Sequence, residues 1–194
     1  NTDDNNVDLT VDIGFRSAAP PQMKVGNLVY FDANNNGKAD LGEGVDGVTV
    51  QLFQNGQDPQ ADTPQQTTET ANGGQYLFSG LLEGEYIAYI PNTEFEEGGQ
   101  LHGKINMTGL GNDVGFDDHL EEDGLDGATP ELSGVRTHSF NLLNNLEPVN
   151  SGNEKGLFAT LDDADDNNGD MTIDFGFVLN CPTITISPAS LANG

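Results

Sequence analysis

The sequence predicts an all-β fold, an antiparallel β-sandwich built from short strands. Helical signals are nearly absent, and 25 glycines and 9 prolines punctuate the 194 residues. The apolar segments are short, rich in β-branched and aromatic side chains, and bounded by Asn, Gly, Asp or Pro. Many short strands separated by turns are the signature of two packed sheets.

The elements follow in order. VGNLVYF (Val25 to Phe31) reads as the first strand, VTVQLF (Val48 to Phe53) as the second, and Gln66 to Thr70 as the third. Tyr76 to Phe78 and YIAYI (Tyr86 to Ile90) come next, then THSFNLL (Thr137 to Leu143), MTIDFGFV (Met171 to Val178) and TITIS (Thr183 to Ser187). In MTIDFGF, Met171, Ile173, Phe175 and Phe177 share one face, and Thr172, Asp174 and Gly176 the other. That alternation predicts a half-buried strand. The connection from Asn92 to Arg136 is long and contains two acidic, glycine-bearing stretches, EFEEGG and DDHLEEDGLDG. A loop of that length in a compact domain asks for a reason, and bound ions are one.

Charge narrows the function. The formal net charge is -26, from 32 acidic and 6 basic residues. Such a field repels nucleic acid and anionic membranes and attracts cations. The 35% apolar content favours an ordered domain over a disordered acidic chain. A single cysteine, Cys181, precludes an internal disulfide; an unpaired thiol is expected. No segment approaches the roughly 20 apolar residues of a membrane helix. A start on Asn and Asp suggests a mature or excised segment. The three histidines, His102, His119 and His138, lack zinc spacing, and no nucleophile elbow, phosphate loop or dinucleotide fingerprint occurs, so no enzyme is expected. Asn106-Met-Thr108 is a glycosylation sequon of a kind that often arises by chance.

The strongest motif is DANNNGKADLGE, residues 32 to 43. It satisfies D-x-[DN]-x-[DN]-G-x5-E without a mismatch. Its flanks are strands, so no pair of EF-hand helices is expected. The coordination chemistry is independent of the flanks: a hard cation takes six to eight oxygens, and alternate side chains around a tight turn supply them. Asp32, Asn34 and Asn36 would ligate through side chains, Lys38 through its carbonyl, Asp40 directly or through water, and Glu43 through both oxygens. Gly37 permits the turn. The alternative is a solvated Asn/Gly turn.

Two further acidic groups are candidate sites. Asp117, Asp118, Glu121, Glu122, Asp123 and Asp126 crowd the long insert, and all but Glu121 are taken as ligand candidates. Asp162, Asp163, Asp165, Asp166, Asn168 and Asp170 crowd the turn before the closing strand. A solvated acidic loop is the competing reading for each. Two or three Ca2+ ions are therefore expected. Gly109 to Asp113 faintly resembles a single β-roll repeat, too few copies to form one.

An internal repeat organises the chain. DDNNVDLTVDIGF at 3–15 matches DDNNGDMTIDFGF at 165–177, with nine of the thirteen positions identical. A closing strand thus occurs twice around one module body. Residues 1–16 are expected to close a preceding module or to be donated to another subunit. Residues 17–23 then form a linker, 24–179 the sandwich, and 180–194 the start of a following β-domain or a linking strand.

Taken together, VGNLVYFDANNNGKADLGEGVDGVTVQLF, GGQYLFSGLLEGEYIAYI and NNGDMTIDFGF resemble the B-type repeats of serine-aspartate repeat surface adhesins, relatives of collagen-adhesin B-type domains. The resemblance covers about Lys24 to Val178. It implies a prealbumin-like or immunoglobulin-like β-sandwich that binds several calcium ions as a stiff extracellular or cell-surface module. Partners implied are neighbouring copies or tandem modules of the same protein, with an adhesin binding a protein or peptide ligand as the alternative. Collagen-adhesin relatives also raise a Lys24–Asn168 isopeptide bond, though an exposed edge lysine is the simpler reading of Lys24.

Overall fold

The computed structural model describes residues 20, 22–107, 122–125, 129–149 and 167–180. The expected strand at 183–187, Cys181, His119 and the N-terminal copy at 3–15 lie outside them.

Two sheets face each other. The first takes β1 (Met23–Phe31), β4 (Gln75–Leu81), β6 (Lys104–Asn106), β9 (Gly169–Asp170) and β10 (Phe175–Leu179), in the order β4-β1-β10-β6 with β9 also beside β1. The second takes β2 (Thr49–Gln54), β3 (Gln66–Glu69), β5 (Gly84–Ile90), β7 (Val135–Arg136) and β8 (Phe140–Leu142), in the order β3-β2-β5-β7 with β8 also beside β5. The only helical pieces among the described residues are a 3-10 turn at Asn92–Glu94 and a single turn, α1, at Pro130–Ser133. The fold is a β-sandwich, as the strand pattern predicts.

Alternation explains the core. Val25 and Val29 of β1, Val50 and Leu52 of β2, Tyr76 and Phe78 of β4, Tyr86, Ala88 and Ile90 of β5, and Phe175 and Phe177 of β10 all join one buried cluster between the sheets. Aromatic pairs tighten it: Phe95 meets Phe177 edge-on at 5.5 Å, and Tyr76 meets Phe78 at 5.9 Å. Phe95, within the long 92–136 connection, is therefore a core residue.

Three expectations need correction. First, the sandwich is not wholly antiparallel: β1 pairs in parallel with β10 (Val29 opposite Phe175) and with β9 (Lys24 opposite Gly169). Second, 171–178 is not one half-buried strand. Residues 171–174 break from the ladder, and Thr172, Asp174 and Gly176 are as buried as the apolar face. One face of the strand lies in the core between the sheets and the other is covered by Tyr30, Met107 and the Asp123 segment, so its polar groups bond inward: the Leu28 N–H donates to Asp174 Oδ1 at 2.9 Å. Third, 137–143 is not continuous. β7 and β8 both pair with β5, separated by a bend at Thr137–Ser139. The long 92–136 connection also contributes its own strand, β6, to the first sheet.

The Tyr76 hydroxyl donates to the Ile173 carbonyl at 2.7 Å inside the core, joining the break in the last strand to β4. Tyr76→Phe removes that donor and leaves a buried carbonyl without it. A loss of about 1–3 kcal/mol is expected, seen as a lower urea midpoint at unchanged slope.

Candidate metal centre

The 32–43 loop leaves β1 at Phe31 and is tied down at both ends. The Phe31 N–H donates to the Glu43 carbonyl at 2.9 Å and the Asp32 N–H to the Phe177 carbonyl at 2.8 Å. Ala39 is buried with Leu28, Tyr30 and Met107 on the outer face of the first sheet, which anchors the middle of the loop. Gly37 has φ +82° and Gly42 φ +93°, conformations open to glycine at no steric cost. Beyond the loop, Asp46 Oδ1 receives the Gly73 and Gly74 N–H groups at 2.8 and 2.7 Å, fixing the β3–β4 turn alongside.

Within the loop the predicted side chains converge. Asp32 accepts the Asn36 N–H at 3.1 Å on one oxygen and the Gly37 N–H at 2.8 Å on the other. Glu43 accepts the Ala33 and Asp40 N–H groups, both at 3.0 Å. The Asn34 and Asn36 amides both donate to the same Asp40 oxygen, at 2.7 and 2.8 Å. Asn36 Oδ1 accepts the Lys38 N–H. Two amide NH2 groups thus face one carboxylate oxygen, where positive charge is electrostatically favoured. Rotating either amide would present oxygen in place of nitrogen. Each Asp32 and Glu43 oxygen accepts one N–H and keeps further lone-pair capacity. The donor set fits a hard, oxygen-seeking cation. Among the described residues no three His, Cys, Asp or Glu side chains converge as a metal-binding group. Asparagine oxygens would have to complete this site.

The second acidic group is divided. Asp117, Asp118, Glu121 and Asp126 lie outside the described residues, whereas Glu122 and Asp123 are buried against the last strand. The Asp174 N–H donates to Asp123 Oδ2 at 2.7 Å, and the Asp123 N–H to the Asp174 carbonyl at 2.8 Å. Asn106 of β6 donates to Glu122 Oε1 at 3.1 Å and to the Gly124 carbonyl at 2.8 Å. Its own Oδ1 is buried without a hydrogen-bond partner. With the Asn106 side chain only 2% exposed, the sequon is closed to a glycan. Burial pushes the Tyr30 hydroxyl far above its ordinary range, and Asp174, Glu122, Asp32 and Asp123 reinforce the shift. Carboxylates from the first loop, the insert and the closing strand therefore share one interior neighbourhood.

Residues 23–103 match the SdrD B-like domain family. That stretch is similar to an SdrD B-like domain. The chain is 37% identical over 111 residues to serine-aspartate repeat-containing protein D of Staphylococcus aureus, covering 56% of this chain and 7% of that protein. It is 31% identical over 118 residues to a fibrinogen-binding protein of Staphylococcus epidermidis, covering 60% and 9%. A third relative, serine-aspartate repeat-containing protein I of Staphylococcus saprophyticus, is 37% identical over 92 residues, covering 46% and 4%. The matched region thus spans less than a tenth of each relative. The matches set the chain among extracellular, cell-surface proteins. Among its described residues no helix is long and apolar enough to cross a membrane.

The third acidic group is also divided. Asp162, Asp163, Asp165 and Asp166 lie outside the described residues; Asn168 and Asp170 are placed beside β1. The Lys24 backbone N–H donates to the Asn168 carbonyl at 2.9 Å, and Asn168 Oδ1 accepts the Asn145 N–H at 2.7 Å. Asp170 Oδ1 accepts both the N–H and the hydroxyl of Thr172.

Sequence reasoning missed Asn106, Asp174 and Glu147. Asp174 sits at an alternating strand position that looks solvent-facing, and Asn106 sits in a short segment without a strand signal. Glu147 follows β8. It accepts the Leu143 N–H through Oε1, while Oε2 is buried without a partner. Burial pushes its carboxyl from 4.5 up to about 7; the Leu143 N–H opposes the shift and Asp170 adds to it. The raised value makes the protonated form the stabilising one. The contribution is fully present below pH 4.5 and is lost as pH rises through 7. In calcium-free buffer at pH 8, Glu147→Gln should therefore gain about 1–3 kcal/mol over the parent, and the gain should vanish by pH 4.5. Urea melts across pH check this, and a pH-independent difference would refute it.

Proposed function

We propose that the chain is a calcium-rigidified β-sandwich module of a cell-surface stalk or fibre. The observation that carries this reading is the burial of Asp32, Glu122, Asp123 and Asp174 around Tyr30 in a chain of net charge -26. Several buried carboxylates in one neighbourhood are costly unless hydrogen bonds and opposite charge compensate them. Calcium would supply that charge while drawing on oxygen ligands from separate segments. Asp32, Asn34, Asn36, the Lys38 carbonyl, Asp40 and Glu43 would hold one ion. Glu122 and Asp123 belong to the candidate second site, and Asn168 and Asp170 to the candidate third. An ion at 32–43 would lock the loop that leaves β1 and is hydrogen-bonded to β10, and so would stiffen the module at that end.

Thermal melts test this. Millimolar calcium should raise Tm by roughly 10 °C over EDTA, the shift that about 4 kcal/mol of ligand linkage gives a domain of this size. Asp32→Ala with Glu43→Ala should remove a large part of that shift. Equal melts with and without calcium would sink the reading.

The finer arrangement we favour keeps each sandwich closed by its own last strand. Donation of residues 7–15 to another subunit would have to displace β10, which is buried between β1 and β6. A covalent run of sandwiches avoids that exchange. The runner-up is an adhesin module, suggested by the relative named fibrinogen-binding protein. A groove of about 550 Å³ beside β7, lined by Tyr89, Arg136, Asp58 and Gln60, is where a peptide would lie. Saturable fibrinogen binding that Arg136→Ala abolishes would favour this second reading.

A further inference from the structure

The parallel pairing of β1 and β10 places the start of the sandwich and its finish at opposite ends. β1 has nine residues, so the two ends lie about 30 Å apart along the strands. The leading end, where β1 begins, is apolar and exposed. Leu82, Leu143, Leu146 and Val149 are 53%, 42%, 63% and 47% exposed. Hydrogen bonds and strand register bring the three leucines to one place. Leu81 pairs with Met23, the Asn144 N–H donates to Glu83 at 2.8 Å, and the Glu147 N–H donates to the Asn167 carbonyl beside β9. The trailing end, where β10 stops, carries a hollow of about 330 Å³ lined by Phe31, Ala33, Val178 and Leu179 with Asp32 and Asn35. Leu179 is 59% exposed and Leu41, on the loop above, 75%. One end thus offers projecting leucines and the other an apolar-lined recess.

The sequence says what would cover them. The copied closing strand ends at Phe15, the counterpart of Phe177, and only residues 16–22 separate it from Met23. Seven residues reach at most about 25 Å. Any sandwich closed by that copy would hold its trailing end within reach of this leading end. We infer that the leading-end leucines seat against the trailing end of a second copy of this module, Leu143 and Leu146 entering the Phe31–Val178–Leu179 recess. This inference rests on the stalk reading and adds the surface through which the stalk stiffens between modules. The contact is heterologous, so it propagates rather than closing as a dimer. Both partners are acidic, so salt that screens their repulsion should strengthen it.

The full 194-residue chain tests this by sedimentation velocity in calcium and about 0.5 M NaCl, where the Debye length is only a few ångströms. Wild type should form larger species as concentration rises. Leu146→Asp and Leu179→Asp, each at an exposed position, should stay monomeric alone. Mixed in equal amounts they should form dimers and stop, because each retains one intact end. A monomeric wild type, as when the chain's own segments or another protein cover the patch, overturns the inference. So does self-association of Leu179→Asp alone, which would mean that leading ends pair with each other. Melts of both variants should keep the calcium shift. Loss of association with that shift intact leaves the calcium reading standing, and absence of the shift in wild type sinks that reading by itself.

Discussion

The fold turns on one insertion: the last strand lies between β1 and β6, parallel to β1 and buried on both faces. A strand in that position cannot point polar groups at water. Asp174 must bond inward, and it does so to the Leu28 N–H and to the Asp123 segment. Gly176 must be glycine, because a Cβ there would sit 2.6 Å from the Tyr30 hydroxyl and 2.8 Å from the Met107 sulfur. With Gly176 absent as an obstacle, Tyr30 lies across the strand and builds the second small core with Leu28, Ala39 and Met107. Ala39 belongs to the 32–43 loop, so the seat of the loop follows from where the last strand runs.

The same insertion brings charge into the interior. Burial favours the neutral form of an acid, and Glu147 shows that outcome, with its carboxyl pushed up to about 7. Hydrogen bonding to the ionised form works the other way. Asp32 receives two backbone N–H groups, Glu122 one backbone and one amide donor, and Asp123 one backbone N–H. These donors satisfy buried carboxylate oxygens but carry no full positive charge. They also hold the carboxylates in place, so a cation bound there would meet groups already ordered. Preorganisation of this kind is how a small site gains affinity without new contacts.

The sandwich was legible in the sequence because its signals are local. VGNLVYF, VTVQLF and YIAYI each state their strand by alternation and flanking turns, and the 32–43 motif gathers its candidate ligands within twelve residues. What escaped was non-local. Alternation in MTIDFGF reports two faces but cannot report that both are covered, since the second face is covered by Tyr30, Met107 and the Glu122–Gly124 segment. Asn106 gained its meaning only from Glu122 and Gly124, sixteen and eighteen positions away. Glu147 looked like an ordinary loop acid until the loop folded under itself onto Leu143. Parallel pairing was missed for a related reason: it needs the first and last strands together, and no short window of sequence contains both.

Parallel terminal strands also decide how a stalk module would carry load. If tension enters before Met23 and leaves after Asn180, it pulls β1 and β10 along their length in opposite directions. Their bonds are then sheared together rather than opened one at a time, which is the harder way to separate two strands. The 32–43 loop crosses the finish of that pair, since the Asp32 N–H is held by the Phe177 carbonyl and the Phe31 N–H by Glu43. An ion in the loop would therefore brace the end of β1 where β10 leaves it. Asn168 and Asp170 lie at the opposite end of β1, where Lys24 and Val25 pair with β9. The candidate sites thus bracket the strand that would bear the load, and a cation at each end would resist the sliding that tension demands.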